Sequence, residues 1–214
     1  GNYRMRIAAN LGRDLDETPA PEDFTVTHAD EYDLLPMACE GDVTISPSPG
    51  SVLTLPTVEV RRCVAKVSYN ISAKPADIEL RSVQLLSAPR SSLLFDAAVP
   101  SEKPDDYKDC PEVELTGRQA EGACYLLPNM QGIVVSITDQ RQKNPENAPA
   151  NASYLLIRAV RGAKVLAYYV YLGGNNTSDF NVRANVHYRL DISILGDSEV
   201  DTRVSSYELN VCLL

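Results

Sequence analysis

Residues Ala163 to Leu195, AKVLAYYVYLGGNNTSDFNVRANVHYRLDISIL, read as two long strands joined by a Gly/Asn-rich loop. On the second strand Val186, Tyr188, Leu190, Ile192 and Ile194 alternate with His187, Arg189, Asp191 and Ser193. A period of two held this long is the pattern of a strand with one face buried and one wet. The first strand, Lys164 to Leu172, is apolar on both faces and is expected to lie deeper, away from a sheet edge. Neither carries a nucleophile–base pair or a set of metal ligands.

The same period recurs along the chain. Tyr3, Met5 and Ile7 alternate with Arg4 and Arg6, predicting a strand over 3–9 with nothing before it. Residues 10–22 form a polar loop, and Pro21-Glu22-Asp23-Phe24 is suited to open a short helical turn. Ser46-Pro47-Ser48-Pro49-Gly50 is a turn, because two prolines and a glycine do not fit a ladder. From Ser51 to Ile71 the apolar parity slips near Arg61-Arg62, which predicts a bulge or a break between strands. A second slip falls between Ile78/Leu80 and Val83/Leu85. Strands that change parity often leave one sheet for another, as a sandwich requires.

The proline-rich segment 87–111 marks a domain junction near residues 90–97, dividing the chain into 1–93 and 94–214. Further strands are expected at 123–127, 132–138, 153–160, 164–172, 186–195 and 206–213, with an exposed polar loop over 139–152. No heptads, helical stripes or fixed-period repeats compete, so the expected class is all-β.

A chain of 214 residues can bury a core without staples. Its 20 basic against 29 acidic residues give a net charge of −9, which points away from nucleic acid as a partner. No run approaches the roughly 18–20 apolar residues of a membrane span. The five cysteines, Cys39, Cys63, Cys110, Cys124 and Cys212, contain no CxxC spacing. Cys63 and Cys212 sit in apolar strands as small core side chains. Cys110 and Cys124 flank a hairpin-like segment, where a disulfide and two free thiols both remain open.

Candidate chemistry is sparse. His187 lies on a wet strand face and His28 in an acidic loop, both read as solvated. Gly173-Gly174-Asn175-Asn176 is a turn before it is a phosphate cradle. Ser72-Ala73-Lys74 and Ser101-Glu102-Lys103 match an S-x-K spacing at the level of chance. The acidic groups Asp14/Asp16/Glu17 and Asp30/Glu31/Asp33 lack a glycine-centred Ca²⁺ loop. Tyr168, Tyr169 and Tyr171 suit either core packing or stacking on sugar rings. Neither an enzyme, a cofactor nor a metal is expected from these patterns.

Four motifs, taken in order, carry a resemblance to a known family. They are Ala8-Ala9-Asn10-Leu11-Gly12 with Leu34-Leu35-Pro36-Met37; Arg62 to Val67 followed by Ile78 to Leu85 and Ala88-Pro89; Tyr125 to Gly132; and Tyr169 to Arg203, with Leu172-Gly173, Asp179 to Val182, Asn185, Tyr188 and Asp201. In this set the chain resembles the fimbrillin superfamily of Bacteroidales, the subunits and anchors of surface fimbriae. The resemblance implies two tandem transthyretin-like β-sandwich domains, the first lacking its opening strands. It also implies extracellular display on the outer-membrane surface as a lipoprotein, and assembly by donor-strand exchange. The lipidated cysteine is absent from this sequence, as is a long C-terminal donor segment, a pattern nearer to an anchor or accessory subunit than to the shaft.

The implied partners are other fimbrial subunits, with a host protein or glycan beyond them. The residues expected to line a strand-accepting groove are Tyr3, Met5, Ile7, Val64 and Val67, since an unpaired edge beside apolar side chains invites another chain's strand. The alternative is a carbohydrate-binding surface module, which would need an aromatic platform such as Tyr169 and Tyr171.

Overall fold

The computed structural model describes residues 1–13, 24–46, 50, 52, 54, 57–95, 100–196 and 203–208. Its strands begin with β1 (Asn2–Ala9), β2 (Thr25–Thr27), β3 (Met37–Thr44), β4 (Arg61–Arg62), β5 (Ala65–Ala73) and β6 (Glu79–Leu86). They continue with β7 (Ala88–Pro89), β8 (Ser91–Leu93), β9 (Tyr107–Lys108), β10 (Val113–Glu114), β11 (Gln119–Leu126) and β12 (Asn129–Ile133). The remainder are β13 (Tyr154–Arg161), β14 (Lys164–Tyr171), β15 (Asp179–Val182), β16 (His187–Ile194) and β17 (Val204–Glu208). Two single 3-10 turns, Pro104–Asp106 and Gln140–Gln142, are the only helical elements among the described residues. The protein is all-β. No helix among the described residues is long and apolar enough to cross a membrane.

The main body is a sandwich. One sheet has the order β10-β6-β13-β14-β17 and the other β11-β5-β16. Every second residue of β5, from Ala65 to Ala73, is buried, and this face shares a core with Leu80, Leu85, Leu155, Ile157 and Leu166 of the larger sheet. Each fully buried aliphatic side chain there contributes about 1.5–3 kcal/mol relative to exposure. Strand β16 runs parallel to β5, whereas the other described pairings are antiparallel.

A second layer rests on this body. The sheet β1-β3-β4 and the pair β2-β8 enclose Val26, Ala38, Cys63, Val64 and Leu127, flanked by Tyr32, Leu35, Leu94, Phe95 and Tyr125.

Both parity slips have structural causes. At the first, β4 pairs with β3 in the second layer while β5, beginning three residues later, belongs to the smaller sheet of the sandwich, so the chain changes sheets. At the second, the register with β13 jumps from Arg158↔Ser82 to Ala159↔Leu80, a bulge centred on Arg81.

Several expectations are corrected. The loop expected between the two strands of 163–195 contains a further strand, β15, paired with β12, and β14 and β16 themselves lie in different sheets. A strand apolar on both faces suits the inner position of β14, whereas the one-sided β16 suits an edge. The apolar run 132–138 leaves the ladder after Ile133, which pairs with Asp179 at the start of β15; the Val134 amide still donates to the Ser178 carbonyl at 2.9 Å, and Val135 turns outward at 85% exposure. The polar loop 139–152 is not wholly exposed, since Lys143 and Asn144 are buried.

The boundary at 93/94 falls within shared cores. Strand β6 pairs with β13 in the main sheet, and the second core joins Val26 and Val64 to Leu94, Phe95 and Leu127. The helical turn expected at 21–24 falls almost wholly outside the described residues, and so do Asp14, Asp16, Glu17 and the last part of the 206–213 strand.

Candidate functional site

Strand β1 pairs with β3 over eight residues, from Asn2↔Thr44 to Ala9↔Met37, and its other edge has no partner among the described residues. The Ile45 amide donates to the Gly1 carbonyl, and the Gly1 amino group donates back to Ile45. Antiparallel pairing alternates bonded and non-bonded pairs, so Tyr3, Met5, Ile7 and Ala9 bond to β3. The N–H and C=O groups of Asn2, Arg4, Arg6 and Ala8 therefore point out of the sheet edge.

The two faces of this ribbon differ. The Arg6 guanidinium bonds Glu40 at 2.7 Å and lies over the Phe24 and Phe95 rings at 5.4 and 5.6 Å, while Ala38, opposite Ala8, enters the second core. The odd-numbered face carries Tyr3, exposed at 56%, with half-buried Met5 and Ile7 and, across the ribbon, Cys39 and Val43. None of these five belongs to or packs against the three core clusters of the described residues. Strands β11 and β16 also lie at sheet edges, but their apolar residues already pack on the main core.

Of the expected groove residues, the structure brings Tyr3, Met5 and Ile7 together on this face. It places Val64 and Val67 elsewhere: Val64 is buried in the second core and Val67 in the main core, both filled by the chain's own side chains. An apolar residue that ends one strand and opens the next gives no sequence sign of which core it enters.

A second cluster was not legible as a site. His28 is buried, its side chain at 0% exposure, which corrects its expected place in a solvated loop. The loop after β2 stays in contact with the body because the His28 amide donates to the Arg90 carbonyl at 2.8 Å. Its ring Nε2 lies 3.1 Å from the Tyr125 carbonyl, 3.9 Å from Cys110 Sγ, and Nδ1 lies 3.9 Å from Asp30 Oδ1. Burial and the neighbouring Lys108 ammonium push the His28 pKa down, while the Lys108 hydrogen bond to Asp30 at 2.7 Å holds that carboxyl low. Burial pushes the Cys110 thiol up to about 11. Cys110 and Cys124 are free thiols. The separation of 82 residues between His28 and Cys110 explains why no spacing motif announced the cluster.

A third group of polar residues builds the connection between β12 and β15. The Asn129 amide donates to the Asn151 carbonyl and Ser153 Oγ, both at 2.8 Å, and the Gly132 amide donates to Asn181 Oδ1 at 2.8 Å. The buried Lys143 ammonium donates to the carbonyls of Asn175 and Asp179 at 2.7 and 2.8 Å and lies 5.0 Å from the Phe180 ring. The residues Tyr125 to Gly132 and Asp179 to Val182 singled out in the sequence thus have structural work here.

The tyrosines considered for sugar stacking engage one another. Tyr154 lies 5.8 Å from Tyr169 and 4.9 Å from Tyr171, Tyr171 also meets Phe180 edge-on, and the buried Tyr168 donates to the Gly196 carbonyl at 3.0 Å. His187 stays on the wet face of β16, 2.8 Å from Ser68 Oγ.

Residues 124–192, which hold the β12–β15 connection, match the family described as a domain of unknown function, DUF4906. The chain is also similar in structure to the tip fimbrial protein Mfa3 from Porphyromonas gingivalis with C-terminal truncation. That similarity has 20% identity and a TM-score of 0.49, covering 91% of this chain and 67% of that one. No curated protein matches the sequence.

Proposed function

We propose that the chain is a structural or adhesion subunit of a cell-surface fimbria, joined to its neighbours by addition of a β-strand along β1. The observation that carries this reading is the combination of an eight-residue edge and an apolar face at Tyr3, Met5 and Ile7, both without a partner among the described residues. An incoming strand would satisfy the outward N–H and C=O groups of Asn2, Arg4, Arg6 and Ala8 and cover that face, the two contributions that drive β-augmentation. The ordered sequence motifs support the fimbrial setting, and with it an extracellular location. The same motifs favour an anchor or accessory position over the shaft.

The test uses surface fibres sheared from cells that express the protein. The wild-type chain should sediment with the fibres. Arg4→Pro removes an outward N–H without touching the bonds to β3, and Ile7→Asp puts a charge on the face to be covered. Both variants should fold and stay in the supernatant. Fibres that retain both variants at wild-type levels would overturn the reading.

A further inference from the structure

The His28 ring presents an unusual arrangement of charge. Its Nε2 faces a backbone carbonyl, which fixes the proton there and leaves Nδ1 with a bare lone pair. That Nδ1 is buried without any hydrogen-bond partner. Asp30 Oδ1, an acceptor as well, lies 3.9 Å from it. Asp30 Oδ1 already accepts from the Lys108 ammonium at 2.7 Å, so Nδ1 is the acceptor left without a donor, and a cation beside the carboxylate would satisfy it. The third neighbour of the ring is the Cys110 thiol, whose Sγ lies 3.9 Å from Nε2, and one ligand atom from each of the three residues lies within 4.8 Å of the others.

We propose that His28 Nδ1, the Asp30 carboxylate and Cys110 Sγ form a Zn²⁺ site whose fourth position is open to water. Imidazole, thiolate and carboxylate together suit a borderline-soft divalent ion such as zinc and do not suit Mg²⁺ or Ca²⁺, which require mainly oxygen donors. The Tyr125 carbonyl on Nε2–H supplies the outer hydrogen bond that orients a metal-bound imidazole. In a tetrahedral site the ligand atoms stand about 3.3–3.8 Å apart, so the observed cluster needs to contract by no more than about 1.5 Å. Asp30 is the solvent-facing member and gives the ion an entry path. On binding, the Cys110 S–H bond breaks, its proton leaves to water, and the thiolate donates its electron pair to the ion.

The site would tie the loop after β2 to the segment between β9 and β10, and so clamp the second layer onto the sandwich. This clamp does not depend on the fimbrial reading.

The experiment uses the full chain, stripped with chelator under reducing conditions and titrated with ZnCl₂ and, for spectroscopy, CoCl₂. The expected results are a 1:1 stoichiometry, a thiolate-to-cobalt charge-transfer band with tetrahedral d–d bands, and a Tm raised by about 5–10 °C at saturating zinc. Cys110→Ser should abolish the charge-transfer band. Asp30→Asn, at a half-exposed position that leaves the core intact, should weaken zinc at least tenfold. Cys39→Ser should change nothing. Binding that survives in folded Asp30→Asn with unchanged affinity overturns the site. So does a wild-type protein that shows no charge-transfer band while its thiols remain reduced.

Discussion

At position 173 the backbone is at φ +149°, and a Cβ added there would stand 1.8 Å from the Asp179 carbonyl oxygen. That carbonyl accepts from Lys143, so the glycine, the lysine and β15 form one arrangement. Gly173→Ala should therefore cost roughly 3 kcal/mol or more in urea unfolding, through backbone strain and a displaced buried carbonyl. Lys143 gives a pH test. Burial lowers its pKa to about 8 from 10.5. Between those values the unfolded chain still holds a proton that the folded chain has released, so stability rises with pH in that window. Wild type measured against Lys143→Met should gain stability from about pH 8 to about pH 10, and a flat difference would contradict the burial argument.

At the scale of strands, sequence patterning was informative wherever one face met a core. The alternation of β16, the inner position of β14 and both parity slips follow from a side-chain period of two. Partner choice did not follow, because a ladder bonds through backbone groups that every residue carries. So β14 and β16, joined by one loop, pair in separate sheets, and Val135 looked like a strand residue although its run leaves the ladder. Burial of Lys143 and His28 was equally hidden: each depends on carbonyls supplied by distant segments, Asn175 and Asp179 in one case and Tyr125 in the other. Core truncation separates these classes. Ile157→Ala on β13 should cost about 2–5 kcal/mol, whereas Val135→Ala should stay within about 0.5 kcal/mol by the same denaturation assay.

For the whole molecule, the main sandwich is complete in itself, and its apolar faces are turned inward. The second layer differs, because β1 uses one face on the chain's own core, while its other face and a full edge of backbone groups have no partner among the described residues. Tyr3, Met5 and Ile7 share one side of β1, as strict alternation in the sequence requires. Alternation could not show that Val64 and Val67 were already enclosed. Amide hydrogen exchange resolved at single residues tests the strand-addition account most directly. The N–H groups of Asn2, Arg4, Arg6 and Ala8 should exchange freely in the isolated chain and become strongly protected in sheared fibres, while those of Tyr3, Met5 and Ile7 are already protected in both. Equal, fast exchange of the four outward amides in both states would contradict it.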